Sequence, residues 1–150
     1  MDNFSGKVAV ITGGASGIGR AIAEACAARG MAIAIVDMAA DKLQVARDSL
    51  RQAGARVEAY MTDVSDVLAM HALAQEVRAS FGAVHLLVNN AGISGVHRWC
   101  WRFSDQEWSR MLDINLRGVV NGLQAFLPHM VDQQEGHIVN TSSVAGLMGT

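Results

Sequence analysis

The sequence predicts a doubly wound parallel α/β sheet, and three observations carry that prediction. Five short apolar runs recur along the 150 residues: KVAVIT (7–12), AIAIVD (32–37), RVEAYM (56–61), HLLVNN (85–90) and HIVNTS (137–142). Between them the apolar residues step by three and four, as in Ile18, Ala21, Ile22, Ala25 and Cys26, or Val67, Met70, Ala74, Val77 and Phe81. That is the spacing of a helix with one buried face. Finally, a parallel neighbour cannot be reached by a tight turn, so strand, helix and strand in repetition imply right-handed crossovers.

The first, second and fourth runs are almost continuously apolar, as strands covered on both faces should be. The third alternates Val57, Ala59 and Met61 with Arg56, Glu58 and Tyr60, the pattern of an edge. A strand order of 3-2-1-4-5 satisfies both, and it puts a ligand crevice at the carboxyl ends of strands one and four, where the order reverses. Gly30, Gly54 and Gly82 follow the first three helical stretches, where a left-handed cap costs glycine least. Ser104 is expected to cap a fourth helix, its hydroxyl on the Glu107 amide and the Glu107 carboxylate reaching back, with Phe103 and Trp108 closing a hydrophobic staple. This helix is expected to run to about Met130, bent or ended by Pro128.

Bulk properties bound the rest. A chain of 16.0 kDa suits one domain with a single core. The apolar fraction is 51% and the mean hydropathy +0.21, yet no apolar run approaches the roughly 18 residues of a bilayer span, so no membrane partner is expected. The start, MDNFSGK, lacks the pattern of an export signal, which makes the cytoplasm the expected location. Twelve basic and 14 acidic side chains give a net charge of -2 with no basic stripe, which argues against nucleic acid. Cys26 and Cys100 support neither a disulfide framework nor a zinc site, and His71, His85, His97, His129 and His137 show no metal-ligand spacing. No metal is expected.

The chemistry begins at TGGASGIG (12–19), between the first strand and the first helix, where a phosphate-binding turn belongs. Gly13 permits the tight exit from the strand. Gly17 and Gly19 remove side chains where backbone meets phosphate and where helix meets sheet, and the amides near Ser16, Gly17 and Ile18 face the helix N-terminus. Asp37 ends the second strand about 20 residues past the glycine turn, where a carboxylate accepts both ribose hydroxyls of an adenosine. A 2′-phosphate there would meet that carboxylate, and a like-charged pair at 4 Å costs about 4 kcal/mol at an effective dielectric of 20 before screening. NAD is therefore the implied cofactor. The plainer role for Asp37 is a cap on the next turn.

Asp63-Val64 precedes Ser65-Asp66, either of which can cap the following helix. The functional reading adds Asp63 accepting from the adenine amino group and Val64 packing near the base. Asn89-Asn90-Ala91-Gly92 closes the fourth strand at the crevice, with Asn side chains to fix the loop and small Ala91 and Gly92 to admit a ribose.

These pieces, with Asn115 in INLRG and NTSS at 140–143, occur in the order and near the spacings of the short-chain dehydrogenases/reductases, which the whole chain resembles. The resemblance implies a Rossmann-type fold and hydride transfer between a nicotinamide and an alcohol or ketone. It also implies that Asn90 lies near the cofactor ribose and that Ser143, beside Ser142, is the catalytic serine orienting the substrate oxygen. In such enzymes a tyrosine, lowered in pKa by a lysine, is the general acid/base, and Asn115 would hold a water linking that lysine to solvent. Without the resemblance, Asn115 reads as a helix-interior residue bonding locally to backbone and Ser143 as a turn residue.

The family's Tyr-x-x-x-Lys pair does not follow Ser143 before Thr150, and the only tyrosine, Tyr60, has Val64 four positions on. HIVNT would also be an unprotected edge with apolar Ile138 and Val139. The 150 residues are accordingly expected to be the front part of a longer enzyme, binding NAD weakly and inactive alone. Trp99 and Trp101 can wall a substrate pocket, seal their loop onto the core or meet another subunit. Met111, Leu112, Leu116, Val119, Val120, Leu123, Phe126 and Leu127 give the fourth helix more apolar surface than one sheet face needs, and the resemblance implies a pairing helix of a homodimer or homotetramer. Two rival readings are a non-catalytic NAD-binding or sensing protein and an adenosylmethionine-dependent methyltransferase. The second has no need of NNAG, Asn115 and NTSS.

Overall fold

A computed structural model describes residues 3–95 and 99–144. Its strands are β1 (Val8–Thr12), β2 (Ala32–Asp37), β3 (Val57–Met61), β4 (Leu86–Asn89) and β5 (His137–Asn140), all parallel in the order β3-β2-β1-β4-β5. The helices are α1 (Gly17–Ala27), α2 (Ala40–Gln52), α3 (Val67–Phe81), α4 (Asp105–Leu112) and α5 (Gly118–Asp132). The predicted order and edge position of β3 are those observed. β2 matches its apolar run, β1 and β3 each begin one residue later, at Val8 and Val57, and β4 and β5 end at Asn89 and Asn140, where the polar crevice residues begin.

Strand side chains alternate between two cores rather than the single one expected, because a sheet apolar on both faces separates its two helix layers. Ala9, Ile11, Ile33 and Ile35 face Ala23, Cys26, Leu43 and Leu50 of α1 and α2. Val10, Ala34, Val36 and Leu87 face Met70, Val77, Phe126 and Met130 of α3 and α5. Each buried Val, Leu, Ile, Phe or Met removes enough apolar surface from water to contribute about 1.5–3 kcal/mol. The doubly wound layering therefore follows from strands apolar at every position. The paired sheet leaves β5 at one edge, its Val139 38% exposed.

Local signals hold at the helix ends. Gly30, Gly54 and Gly82 take φ of +81°, +86° and +87°. Asp66 is the α3 cap, its Oδ1 accepting from the amides of Leu68 and Ala69, while Ser65 bonds to Asp63 instead. Ser104 and Glu107 form the reciprocal capping box, and Phe103 meets Trp108 edge-on at 5.8 Å.

The long fourth helix departs from expectation. Between α4 and α5 a π-helical stretch, Asp113–Arg117, interrupts it, with the Gly118 amide donating to the Asp113 carbonyl. Pro128 does not end it: the residue sits inside α5, which continues to Asp132. The break falls instead at the tertiary anchor of Asn115, described below. No described helix is long and apolar enough to cross a membrane.

Candidate functional site

The carboxyl ends of β1 and β4 open onto a crevice of about 920 Å³. Its glycine turn is shaped by backbone and by missing side chains. Gly13 has φ +65°, and a Cβ there would press at 3.0 Å on both Ala91 Cα and Asn90 Nδ2. A Cβ on Gly19 would overlap the Gly13 carbonyl oxygen, so helix and turn can approach only with glycine at this position. Gly17 differs: φ is +53° and nothing lies within 4 Å of its Cβ position, so its backbone faces open space at the mouth of α1. Ser16 makes no side-chain cap bond and the first turn of α1 carries no acid. An N-terminus left this way presents amide donors and the positive end of the helix dipole to an anion.

Asp37 does two things at once. Its Oδ2 accepts from the Ala15 amide at 3.2 Å, fixing the glycine turn, and its Oδ1 accepts from the Ala39 amide at 3.0 Å, the turn cap that was its plainer reading. The carboxylate also lines the crevice. Asp63 closes a tight turn, Oδ1 accepting from the Ser65 amide at 2.9 Å and hydroxyl at 2.7 Å. Val64 is buried and packs on Gly118, where a Cβ would come within 2.7 Å of it. Asn121 Nδ2 donates to the Val64 carbonyl at 2.8 Å, tying this wall to α5.

The opposite wall hangs on Thr12. Its buried hydroxyl donates to the Val88 carbonyl at 3.3 Å and accepts from the amides of Asn90 at 2.9 Å and Ala91 at 3.0 Å. Asn90 Nδ2 donates to the Thr12 carbonyl at 3.0 Å, and its Oδ1 accepts from the Thr141 hydroxyl at 3.2 Å. Asn90 thus joins the glycine turn to the end of β5. Asn115 does not bond locally: Oδ1 accepts from the Ile93 amide and Nδ2 donates to the Ile93 carbonyl, both at 2.8 Å. This pair fastens the segment after NNAG to the π-helical stretch.

Gly13, Ser16, Gly17, Ile18, Asp37, Asp63, Val64, Asn90, Ala91 and Gly92 all line the crevice, together with Gln106, Ser109, Arg110 and Asp113 from α4 and its extension. Gly19 lies buried beneath the turn, Asn115 grips the wall from behind, and exposed Ser142 and Ser143 follow Thr141, the crevice-lining residue just past β5. Thr12 and Thr141 stand within TGGASGIG and NTSS without a role of their own in the sequence reading, and Asn121 is a polar residue inside an otherwise apolar helical pattern.

Tyr60 is removed from this chemistry. Its hydroxyl bonds Ser80 Oγ at 3.1 Å on the outer strand, and burial raises its pKa above the ordinary phenol value despite that bond. Trp99 and Trp101 stack on each other, centroids 4.9 Å apart, and are 64% and 71% exposed, so they do not seal their loop onto the core. Among the described residues no group of His, Cys, Asp and Glu could hold a metal; His97 lies outside them.

Comparison with known proteins fits this geometry. The short chain dehydrogenase family model matches residues 7–150. A short chain dehydrogenase/reductase from Burkholderia phymatum, solved in complex with NAD, is 46% identical with a TM-score of 0.96, over 100% of this chain and 53% of that one. A metagenomic short-chain oxidoreductase solved in complex with NADP is 34% identical with a TM-score of 0.93, over 98% of this chain and 66% of that one. The 3-oxoacyl-(acyl-carrier-protein) reductase FabG of Escherichia coli is 37% identical over 98% of this chain and 59% of its own length. The chain spans about half the length of the curated relatives it matches. With the glycine turn, the Asn90 bridge and the Asn115 clamp in place, and a family model matched from Lys7 to the last residue, the chain belongs to the short-chain dehydrogenase family.

Proposed function

We propose that the full-length protein is an oxidoreductase that holds a nicotinamide dinucleotide, NAD in preference to NADP, and acts on a small alcohol or ketone. The observation that carries this reading is the bare mouth of α1: an N-terminus with neither side-chain cap nor acid, fronted by Gly17 and opening into a crevice that Asp37 bounds. A pyrophosphate suits these donors, and a side chain at Gly17 would occupy the space it needs.

Within this reading the amides at Ser16, Gly17 and Ile18 hold the pyrophosphate. Asp37 takes the adenosine ribose hydroxyls, Asp63 and Val64 flank the base, and Asn90, Ala91 and Gly92 leave room for the second ribose. The bound nicotinamide supplies a hydride acceptor or donor. The Ser143 hydroxyl orients the substrate oxygen by hydrogen bonding, and Asn115, by fixing Ile93, holds the wall beside it and a water for proton relay. Nicotinamide dinucleotides of both kinds occur in the similar solved structures, so the acid ending β2 is the discriminating group.

Affinities of the full-length protein for NADH and NADPH test this. Asp37→Ala is expected to shrink the preference for NADH about tenfold or more, equivalent to about 1.4 kcal/mol or more. Asp37→Asn, which keeps an acceptor for Ala15 but loses the charge, is expected to shrink it comparably. An unchanged ratio in both variants removes Asp37 from cofactor choice, and a wild-type protein that binds neither nucleotide ends the reading.

The protein is also proposed to pair through α4 and α5. Trp108, Leu112, Leu116 and Val120 follow one another at steps of four and are 43%, 50%, 59% and 42% exposed. Burying such a stripe against a second copy gives a homodimer or homotetramer. Sedimentation equilibrium is expected to show Leu116→Glu shifted to monomer; a wild type that sediments as a monomer removes the pairing.

A further inference from the structure

The fourth and fifth strands are joined by side chains as well as by their backbone ladder. Asn89 and Asn140 face each other in register, and Asn89 Nδ2 donates to Asn140 Oδ1 at 2.9 Å. Asn89 is 3% exposed, and its Oδ1 has no hydrogen-bond partner, so among the described residues the bond to Asn140 is the one its carboxamide makes. Behind it stands α5: a Cβ on Gly122 would overlap Asn89 Oδ1 and approach its Cγ at 3.3 Å. The carboxamide is thus pressed between a helix that has room only for glycine and a single partner on β5. One position further along, the Thr141 amide donates to the Asn89 carbonyl at 2.9 Å. Ser143 lies three residues past Asn140.

We propose that Asn140 is a positioning residue: by accepting from the buried Asn89 it sets where the end of β5, and with it Ser143, stands relative to the crevice. This rests on the reading of Ser143 given above and adds the device that places it. With Asn89 Oδ1 already without a partner, losing the Asn140 acceptor leaves the buried carboxamide with no protein hydrogen bond among the described residues, which costs more than either unpaired atom alone. The strand end must then shift or loosen to restore a partner.

The test compares Asn140→Leu, which removes the acceptor, with Asn140→Asp, which keeps an acceptor oxygen in the same place, both in the full-length protein. Hydrogen exchange followed by mass spectrometry is expected to run about tenfold faster in the segment 138–144 of Asn140→Leu, with α1, α2 and β1–β3 unchanged, and near the wild-type rate in Asn140→Asp. Gly122→Ala, which pushes on Asn89 from the other side, is expected to loosen the same segment. With NAD and cyclohexanol as probe, kcat of Asn140→Leu is expected to fall about tenfold, with KM for NAD within twofold. Equal exchange in wild type and Asn140→Leu overturns the proposal, as does an Asn140→Asp variant as loose as Asn140→Leu, or a loosened segment with undiminished turnover. If wild type fails to bind NADH, the function reading falls by itself, whereas the exchange rates still judge the Asn89–Asn140 rung; they judge it equally if cyclohexanol is not turned over.

Discussion

At the β1–β2 end of the crevice the shape comes from backbone and from absent side chains. Gly13, Gly17 and Gly19 let turn and helix approach, and β1 and β2 are apolar on both faces except for Thr12 and Asp37 at their ends. At the β4–β5 end it comes from polar side chains reaching across: Asn90 to Thr12 and Thr141, Asn89 to Asn140, and Asn115 to Ile93. The first end is rigid because close-packed backbone has nowhere to go. The second is held by hydrogen bonds that each contribute about 0.5–1.5 kcal/mol, so it can be loosened one bond at a time. A nucleotide needs a fixed cradle, whereas the groups that meet a substrate need fine placement, and the two ends are built accordingly.

The largest effect is expected where nothing can yield. Gly19→Ala forces a Cβ into the Gly13 carbonyl and the Asn90 carboxamide; overpacking of this kind costs about 1–3 kcal/mol. Chemical denaturation is expected to show a loss in that range, and NADH affinity is expected to fall about a hundredfold. A Gly19→Ala protein with wild-type affinity would show the cradle to be softer than drawn.

Asn115→Leu probes the other end. Removing both bonds to Ile93 should free the segment after NNAG, lowering turnover of the full-length enzyme tenfold or more while the NADH dissociation constant stays within threefold. A parallel loss of both would mean that the two ends are not mechanically separate.

The smallest effect lies away from the crevice, at the amino ends of the strands. His85 Nδ1 accepts from the Val8 amide at 3.1 Å, and Lys7 pairs with Glu135 at 2.6 Å, with His85 Nε2 3.8 Å from the same carboxylate. Burial, then Lys7, lowers the pKa of His85 below its ordinary 6.5, with Glu135 opposing. The unfolded chain therefore binds more protons at this residue. Its contribution to stability is full above about pH 6.5 and is lost as pH falls below that toward the folded value. Glu135, held below the usual carboxylate range mainly by its bond to Lys7, matters only at more acidic pH. His85→Asn keeps an acceptor for Val8 without a titrating ring, so its melting temperature is expected to drop less between pH 7 and 5.5 than that of wild type. Equal drops would place the pH response elsewhere.

Much of the molecule was legible in the chain because the deciding interactions are local or periodic. Strand and helix alternation, the apolar runs, the left-handed glycines, the Ser104–Glu107 box and the glycine turn all involve residues within a few positions of one another, and the alternating third run put β3 at an edge, a position the order β3-β2-β1-β4-β5 satisfies. The choice of Asp66 over Ser65 as cap was open, since both types cap well and Asp63 settled it by taking Ser65. Tertiary structure alone decided the partner of Asn115, 22 residues away, the Thr12 hub that spans 78, and the π-helical break that carries Asn115 to the crevice wall. It also made a bridge of Asn90 and an enclosed rung of Asn89. Such bonds join residues with no fixed spacing, so they leave no period in the sequence, and they form only after the apolar strands have brought their carboxyl ends together.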